Sequence, residues 1–526
     1  MKSLKIPISI AWLERLSLIY LTLPFLIFCI GFLKIGISVI ICGIFILIIV
    51  RGISHATRSD RSFCIPLSQL TVLFLIIALW VALSGIGGFS FQNYDFHIRN
   101  AIFRDLINYD WPVTYVSQSS PLTTYRLVYY IGFWLPAALA GKIAGWQFAN
   151  TALFIWSILG VTLTVMLVSS KIKLSPPKLV LSFVFFSGMD VLGKLLSSYS
   201  LNGSFSLNWP PITHLEWWSM YFQYSSMTTQ LFFVFNQAIP AWICMALLFI
   251  SRDRRNILLI WSLCAFLAPI PSLGMFPFVL AKIPKSLFDP DNLIWEKKSR
   301  DFQSLKHLCW KDIRAVLTFE NILAGGIVLG ISLAYFSSNV QFANRSTPTL
   351  NPAWVVLLIA FVLLEGGLIW WTLRKNNQHI LSWYVAGLLL FVIPIIKIGD
   401  GFDFCMRASI PTLFMLFVWS ATAFTRIDKK NNQALLLFLL IGAVTPIFEI
   451  NRSVYRTVQY YLNPPAEQLK VMGEKMRIYP FYSFEYDHPY TLTADSYKSL
   501  ANFNLAEITN FVAKPNDGFY TNYLSK

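Results

Sequence analysis

The chain alternates long hydrophobic runs with short basic segments and longer polar, aromatic ones. Runs near 13–33, 35–50, 68–86, 147–169, 179–196 and 230–250, then near 316–336, 353–373, 380–398, 404–424 and 433–449, approach the roughly 20 apolar residues that cross a bilayer as a helix. Between the two sets lies a hairpin broken at PIPSLGMFP (269–277), because proline and glycine interrupt helices. The pattern predicts an all-α polytopic membrane protein of about thirteen transmembrane helices. Residues 1–449 form the transmembrane domain, and residues 450–526 form a small, polar, tyrosine-rich tail.

The longest interruption of the apolar pattern in the first third is residues 87–125. Within it, Tyr94–Tyr109 has helical spacing: Phe96, Ala101, Phe103, Leu106 and Ile107 share one side, while Asp95, Arg99 and Asp105 lie elsewhere. The expectation is an amphipathic helix on the membrane surface with its charges toward water. A second such segment, around 194–230, carries His214 and Glu216 among Trp209, Trp217 and Trp218.

Composition agrees with this class: 56% of the 526 residues are hydrophobic, and mean hydropathy is +0.58. The net charge of +16 is spread over short basic clusters at 51–61, 171–178, 252–255, 282–314 and 426–430, which read as positive-inside topology signals and not as a nucleic-acid surface. They predict a cytoplasmic N-terminus, both aromatic-polar segments outside, and an extracytoplasmic tail. Residues 126–145 are then expected to dip into the outer leaflet and return, since a full crossing would put KIKLSPPK outside. The seven cysteines are scattered and suggest neither a disulfide framework nor a zinc site. The N-terminal apolar run lacks a small-residue cleavage site and reads as a retained span.

Charged residues make up only 13% of the chain, so their concentration on one face needs a chemical reading. Asp95 and Glu216 are candidate catalytic carboxylates, Asp95 as general base on an acceptor hydroxyl. His97, Arg99, His214, Trp217, Lys397 and Arg407 are candidate substrate-binding residues, the cations by charge-assisted bonds to phosphate and the tryptophan by stacking on a sugar. Asp95, His97 and Asp190 could hold Mg²⁺ or Mn²⁺. Simpler roles exist for each: an i,i+4 ion pair for Asp95 and Arg99, a helix end for Asp190, and an interfacial belt for the tryptophans.

A surface helix opening on an acid (YDFHIRNAIFRDL), then SPLTTYRLVYYIGFWLPAALAGKIAG and a span ending in basic residues, resembles the GT-C superfamily of integral-membrane glycosyltransferases. FSGMDVLG, HLEWWSMYFQYSSMTTQLFFVFNQAIPAW and DFCMRASIP look like stretches of bacterial membrane proteins of cell-surface polysaccharide synthesis. The resemblance spans about the middle 350 residues. It implies a plasma-membrane enzyme that takes a sugar from a polyprenyl-phosphate donor and passes it to a glycan or lipid acceptor on the extracytoplasmic face, with Asp95 in the position of the family's acid. The chain departs from the family in reading Asp95, Phe96, His97, without a paired acid, and in having two spans before the loop. Other readings are a polymerase or ligase of lipid-linked glycans, resting on Arg99, Arg104 and Arg126, and a transporter or flippase with broken helices near the midplane.

Overall fold

The computed structural model of the protein describes residues 4–56, 62–93, 95–116, 124–205, 207, 214–251, 254–283, 312–339, 352–378, 380–398, 403–425, 432–462, 509–513 and 518–526. These are mostly helical, and seven helices among them are long and apolar enough to cross a membrane. Four further apolar helices are shorter, at Ile35–Ile48, Leu67–Leu83, Ile257–Leu267 and Leu381–Ile395.

Strand β1 (Lys5–Ser9) pairs antiparallel with β2 (Ser62–Pro66), Lys5 opposite Pro66 and Ser9 opposite Ser62. Helix α1 (Ile10–Phe32) follows β1, with the Ser9 hydroxyl accepting from the Trp12 amide as an N-cap. After α2 (Ile35–Ala56), β2 leads into α3 (Leu67–Leu83), so α1 and α3 leave from opposite ends of the β1–β2 pair, and the Leu67 amide donates to the Leu4 carbonyl at 2.9 Å.

Helix α4 (Phe96–Asn108) lies where the apolar spacing predicts a helix, and Phe96, Ala101, Phe103, Leu106 and Ile107 are all buried. Arg99 and Asp105 do not face water, which corrects the surface-helix expectation, while Asp95 at the start of the helix stays partly exposed. Arg99 is buried, and Asp105, at 0% exposure, accepts from the Tyr115 hydroxyl at 2.9 Å. The cause is a cover on the polar side: β3 (Thr114–Val116) and β4 (Thr124–Leu127) form a hairpin there, with Tyr115 on β3.

Helix α5 (Leu135–Ser169) is broken at Gly145, whose φ of 81° and ψ of −176° are non-helical. A Cβ on Gly141 would lie 2.7 Å from that of Ala149. A straight helix rising about 1.5 Å per residue would hold residues eight apart about 12 Å from each other. The leg before Gly145 is therefore laid back against the leg after it and does not prolong it.

The run expected as one span at 179–196 is two short helices, α6 (Pro176–Val184) and α7 (Asp190–Asn202), with 185–189 non-helical between them. Helix α8 (Met227–Ile250) is almost wholly buried and kinks at Val234. The predicted broken hairpin is α9 (Ile257–Leu267) and α10 (Pro269–Lys282). Asp403–Ala408 and Ile410–Ala423 together form a span that is buried along most of its length. Helix Val444–Leu462 runs through residue 449, where the transmembrane domain was expected to end.

Residues 463–508 of the expected tail lie outside the described residues. The described end is woven into the helices: β5 (Val512–Ala513) adds to β4, Tyr520 is buried against Tyr335 and Phe28, and Ser525 bridges to Leu33 at the end of α1.

Candidate functional site

Two arginines from distant parts of the chain meet beside α8. The first is on α4. Asn93 holds the start of that helix, accepting from the Asp95 amide at 3.1 Å while its own amide donates to the Phe232 carbonyl at 2.8 Å. Phe232 lies just before the Val234 kink in α8, so a helix irregularity supplies the anchor. The Asp95 carboxylate, 37% exposed, is 2.8 Å from Arg99, one turn on. Arg99 lies 5.9 Å from the Phe235 ring centroid, and its Nη1 is buried without a partner among the described residues.

The second arginine is Arg407, 2.8 Å from Asp403, itself 45% exposed and one turn earlier. Its Nε is also buried without a partner among the described residues, and its guanidinium lies 5.9 Å from the Tyr130 ring centroid. The short helix carrying it sits hard against α10, where a Cβ on Gly274 would come within 1.9 Å of the Ala408 carbonyl oxygen. Tyr129 bridges the two arginines: its hydroxyl meets that of Tyr130, and it feels both Arg99 and Arg407 electrostatically. Asp95 also lies within electrostatic reach of Arg407. The cluster is thus two buried guanidiniums, each tethered by a half-exposed aspartate, with two phenols between them.

His214 adjoins this cluster, since Asp95 acts on its charge. Its Nδ1 is 2.7 Å from Glu449, its Nε2 is 2.8 Å from Arg452, and Arg452 is 2.8 Å from Glu449. Burial, then the neighbouring Arg452, pushes the imidazole below its ordinary value. Trp217 packs on the His214 ring, centroids 4.7 Å apart, and keeps 43% of its surface exposed. Glu216 points away from solvent: Gln223 donates to Oε2 and the Ser226 amide to Oε1, each at 2.9 Å. Burial and the nearby charge of Asp190 push its carboxyl up to about 8.

The predicted residues divide accordingly. Asp95, Arg99 and Arg407 fall in one cluster, with His214 and Trp217 beside it. Lys397 lies 5.4 Å from the Tyr221 ring centroid. Asp190 lies deeper, accepting from Ser187 and Thr445, and shares no described contact with Asp95. The side chain of His97 and all of Asp400 lie outside the described residues. Among the described residues no three His, Cys, Asp or Glu side chains come together to hold a metal ion, and the Asp95 carboxylate is engaged by Arg99. No step below uses Mg²⁺ or Mn²⁺.

Sequence reasoning passed over Tyr129, Tyr130, Glu365, Glu449 and Arg452. Glu365 had a signal, being a lone carboxylate inside an apolar run, FVLLEGGLIW. So did Glu449 with Arg452, an acid and a base three apart at the end of one. Compared with protein-family models, with curated proteins and with solved structures, the chain matches none.

Proposed function

We propose that this chain is a membrane glycosyltransferase that moves a sugar from a polyprenyl-phosphate donor to an acceptor hydroxyl in cell-surface glycan synthesis. In this reading the polypeptide crosses a bacterial plasma membrane about thirteen times, its N-terminus is cytoplasmic, and the arginine cluster faces the extracytoplasmic side. One observation carries it: Arg99 and Arg407 each keep a buried guanidinium nitrogen unpartnered among the described residues, with Tyr129 within electrostatic reach of both and Asp95 within reach of Arg407. Such nitrogens are unsatisfied until an anion with several acceptor oxygens enters, and a phosphate supplies them.

The chemistry is a displacement at the anomeric carbon. Asp95 takes the proton of the acceptor hydroxyl, the freed oxygen forms the new bond to that carbon, and the carbon–oxygen bond to phosphate breaks. The electron pair leaves with the phosphate, whose growing charge the two arginines stabilise. Attack opposite the leaving group inverts the centre. Trp217, exposed and packed at a tilt against His214, offers a face to the sugar. Glu216, with both oxygens occupied by Gln223 and Ser226, orients the His214–Trp217 turn and does not touch the reactants.

Polymerisation or ligation of lipid-linked glycans would use the same arginines, and donor length separates the two. The test is transfer from a polyprenyl-phosphate monosaccharide and from a lipid-linked oligosaccharide by the full chain in vesicles. Transfer of the monosaccharide, lost in Arg99→Ala and Arg407→Ala, is expected. Absence of both transfer and donor binding in the unmodified protein rejects the enzyme reading.

A further inference from the structure

Three interrupted helices meet around a pair of acids that the reaction above does not use. The non-helical stretch 185–189 separates α6 from α7, a π-helical turn occupies Leu363–Gly367, and Gln433–Gly442 ends just before Val444–Leu462 begins. They touch backbone to backbone: the Met189 amide donates to the Leu364 carbonyl at 3.0 Å, and a Cβ on Gly442 would stand 2.6 Å from the Ser187 carbonyl oxygen. Gly188 has no room for a side chain, because a Cβ there would fall 2.1 Å from Glu365 Oε2.

The interruptions deliver one carboxyl each from two of these elements. Asp190, the first residue of α7, accepts through Oδ2 from the Ser187 hydroxyl at 3.1 Å and the Thr445 hydroxyl at 2.9 Å. Glu365, on the π turn and 1% exposed, accepts through Oε1 from the Trp218 indole at 2.8 Å. Its Oε2 is buried with no donor among the described residues. The Asp190 and Glu365 carboxyls are in hydrogen-bonding contact with each other.

Two ionised carboxylates have four acceptor oxygens and nothing to donate, so that contact exists only if something positive lies between them. Glu216, from a third element, adds a further acid within electrostatic reach of Glu365, and the Tyr224 phenol, which donates to the Leu390 carbonyl, lies within reach of its charge. Like charges so close in an apolar interior cannot all persist. The described neighbours provide no third His, Cys, Asp or Glu in a metal-holding arrangement, whereas a single proton completes the pair.

We propose that Asp190 and Glu365 form a proton-binding site in the membrane-spanning part of the fold, one proton shared between the two carboxyls. With the proton in place the three interruptions close on one another; its release leaves two negative charges across the contact and drives α7 away from the π turn. The protein thus takes up and releases one proton at this point when the three helices change arrangement.

The experiment is infrared spectroscopy of the full chain in vesicles at neutral pH, in H₂O and D₂O, reading the carbonyl stretch of protonated carboxylic acids. Part of that band is lost, to the same extent, in Asp190→Asn and in Glu365→Gln, because either change removes the shared proton while its amide still donates to the remaining carboxylate. A band unchanged in either folded variant overturns the proposal. If the variants do not fold, mapping of dicyclohexylcarbodiimide adducts on the unmodified chain decides: adducts on Asp190 or Glu365 at neutral pH support a protonated pair, and labelling confined to other carboxyls overturns it. Loss of the band or the adduct on adding sodium at constant pH assigns the pair to a metal cation and also overturns it.

Discussion

Arg452 Nη1 lies 2.8 Å from His214 Nε2, and because a guanidinium only donates, that ring nitrogen must be the acceptor. The ring proton is therefore on Nδ1, aimed at Glu449, and His214 is neutral in the folded protein. A second proton has no place to go without breaking the contact to Arg452. Since burial and Arg452 lower the folded-state value, the folded protein binds fewer protons than the unfolded chain once pH falls to the ordinary imidazole value of 6.5. The contribution is whole above that pH and declines below it. Thermal unfolding in detergent should show a midpoint that drops as pH is lowered from 7.5 toward about 5.5, with a shallower drop in His214→Gln; identical slopes in the two proteins exclude His214 as the cause.

Asp95→Asn keeps the shape of the site and removes the proton acceptor, so turnover should fall by about 10² to 10⁴ while donor affinity changes little. Arg407→Ala should weaken donor binding first, since it deletes a phosphate contact. Rates and affinities for the two variants, taken side by side, check the division of roles. Full activity in Asp95→Asn removes it from the chemistry.

Gly274 lets α10 approach the backbone that carries Arg407, with its missing Cβ only 1.9 Å from the Ala408 carbonyl oxygen. Gly274→Ala should cost about 1–3 kcal/mol of stability through overpacking and move Arg407. Donor affinity should then fall although no contacting residue has changed. Gly326→Ala, whose added methyl meets nothing within 4 Å, is the control and should leave affinity as it was.

The basic segment after α5 should be cytoplasmic. In a background with the exposed Cys64 replaced by serine, Leu174→Cys should resist a membrane-impermeant thiol reagent in intact cells and react once the cells are opened. Labelling in intact cells would place that loop outside and require residues 126–145 to cross.

Hydrophobic runs alone made most helices legible. α4 begins within two residues of its predicted start, whereas the break expected at 269–277 falls at Ala268, between α9 and α10, and 269–277 is itself helical. What stayed hidden was pairing across distance. An apolar run that ends at 449 makes Glu449 the last residue of a span and Arg452 part of a tail, which divides two side chains that close on His214, 235 and 238 residues earlier. Periodicity reports which face of a helix is apolar, not what covers the other face, so the burial of Arg99 and Asp105 needed the β3–β4 hairpin to be seen. The interruption at 185–189 carries a glycine, but one glycine in an apolar run is a weak signal until a partner such as Glu365 is found against it.

The Leu524 carbonyl accepts from the Lys34 amide at 2.9 Å, and the Lys526 amide donates to the Phe32 carbonyl at 3.2 Å, so the last-made turn of the described chain rests on the end of the first-made long helix. Few contacts within this polypeptide join residues further apart in sequence, and such closures are slow to form even though their entropy cost grows only with the logarithm of the loop. α1 can enter the bilayer early in synthesis, but its exit end waits for a cover that is translated hundreds of residues later. Until that cover arrives, Phe28 and Tyr335 lack the Tyr520 ring that buries them, and a ribosome-stalled or prematurely ended chain would present those aromatics to whatever insertion or quality-control machinery attends it.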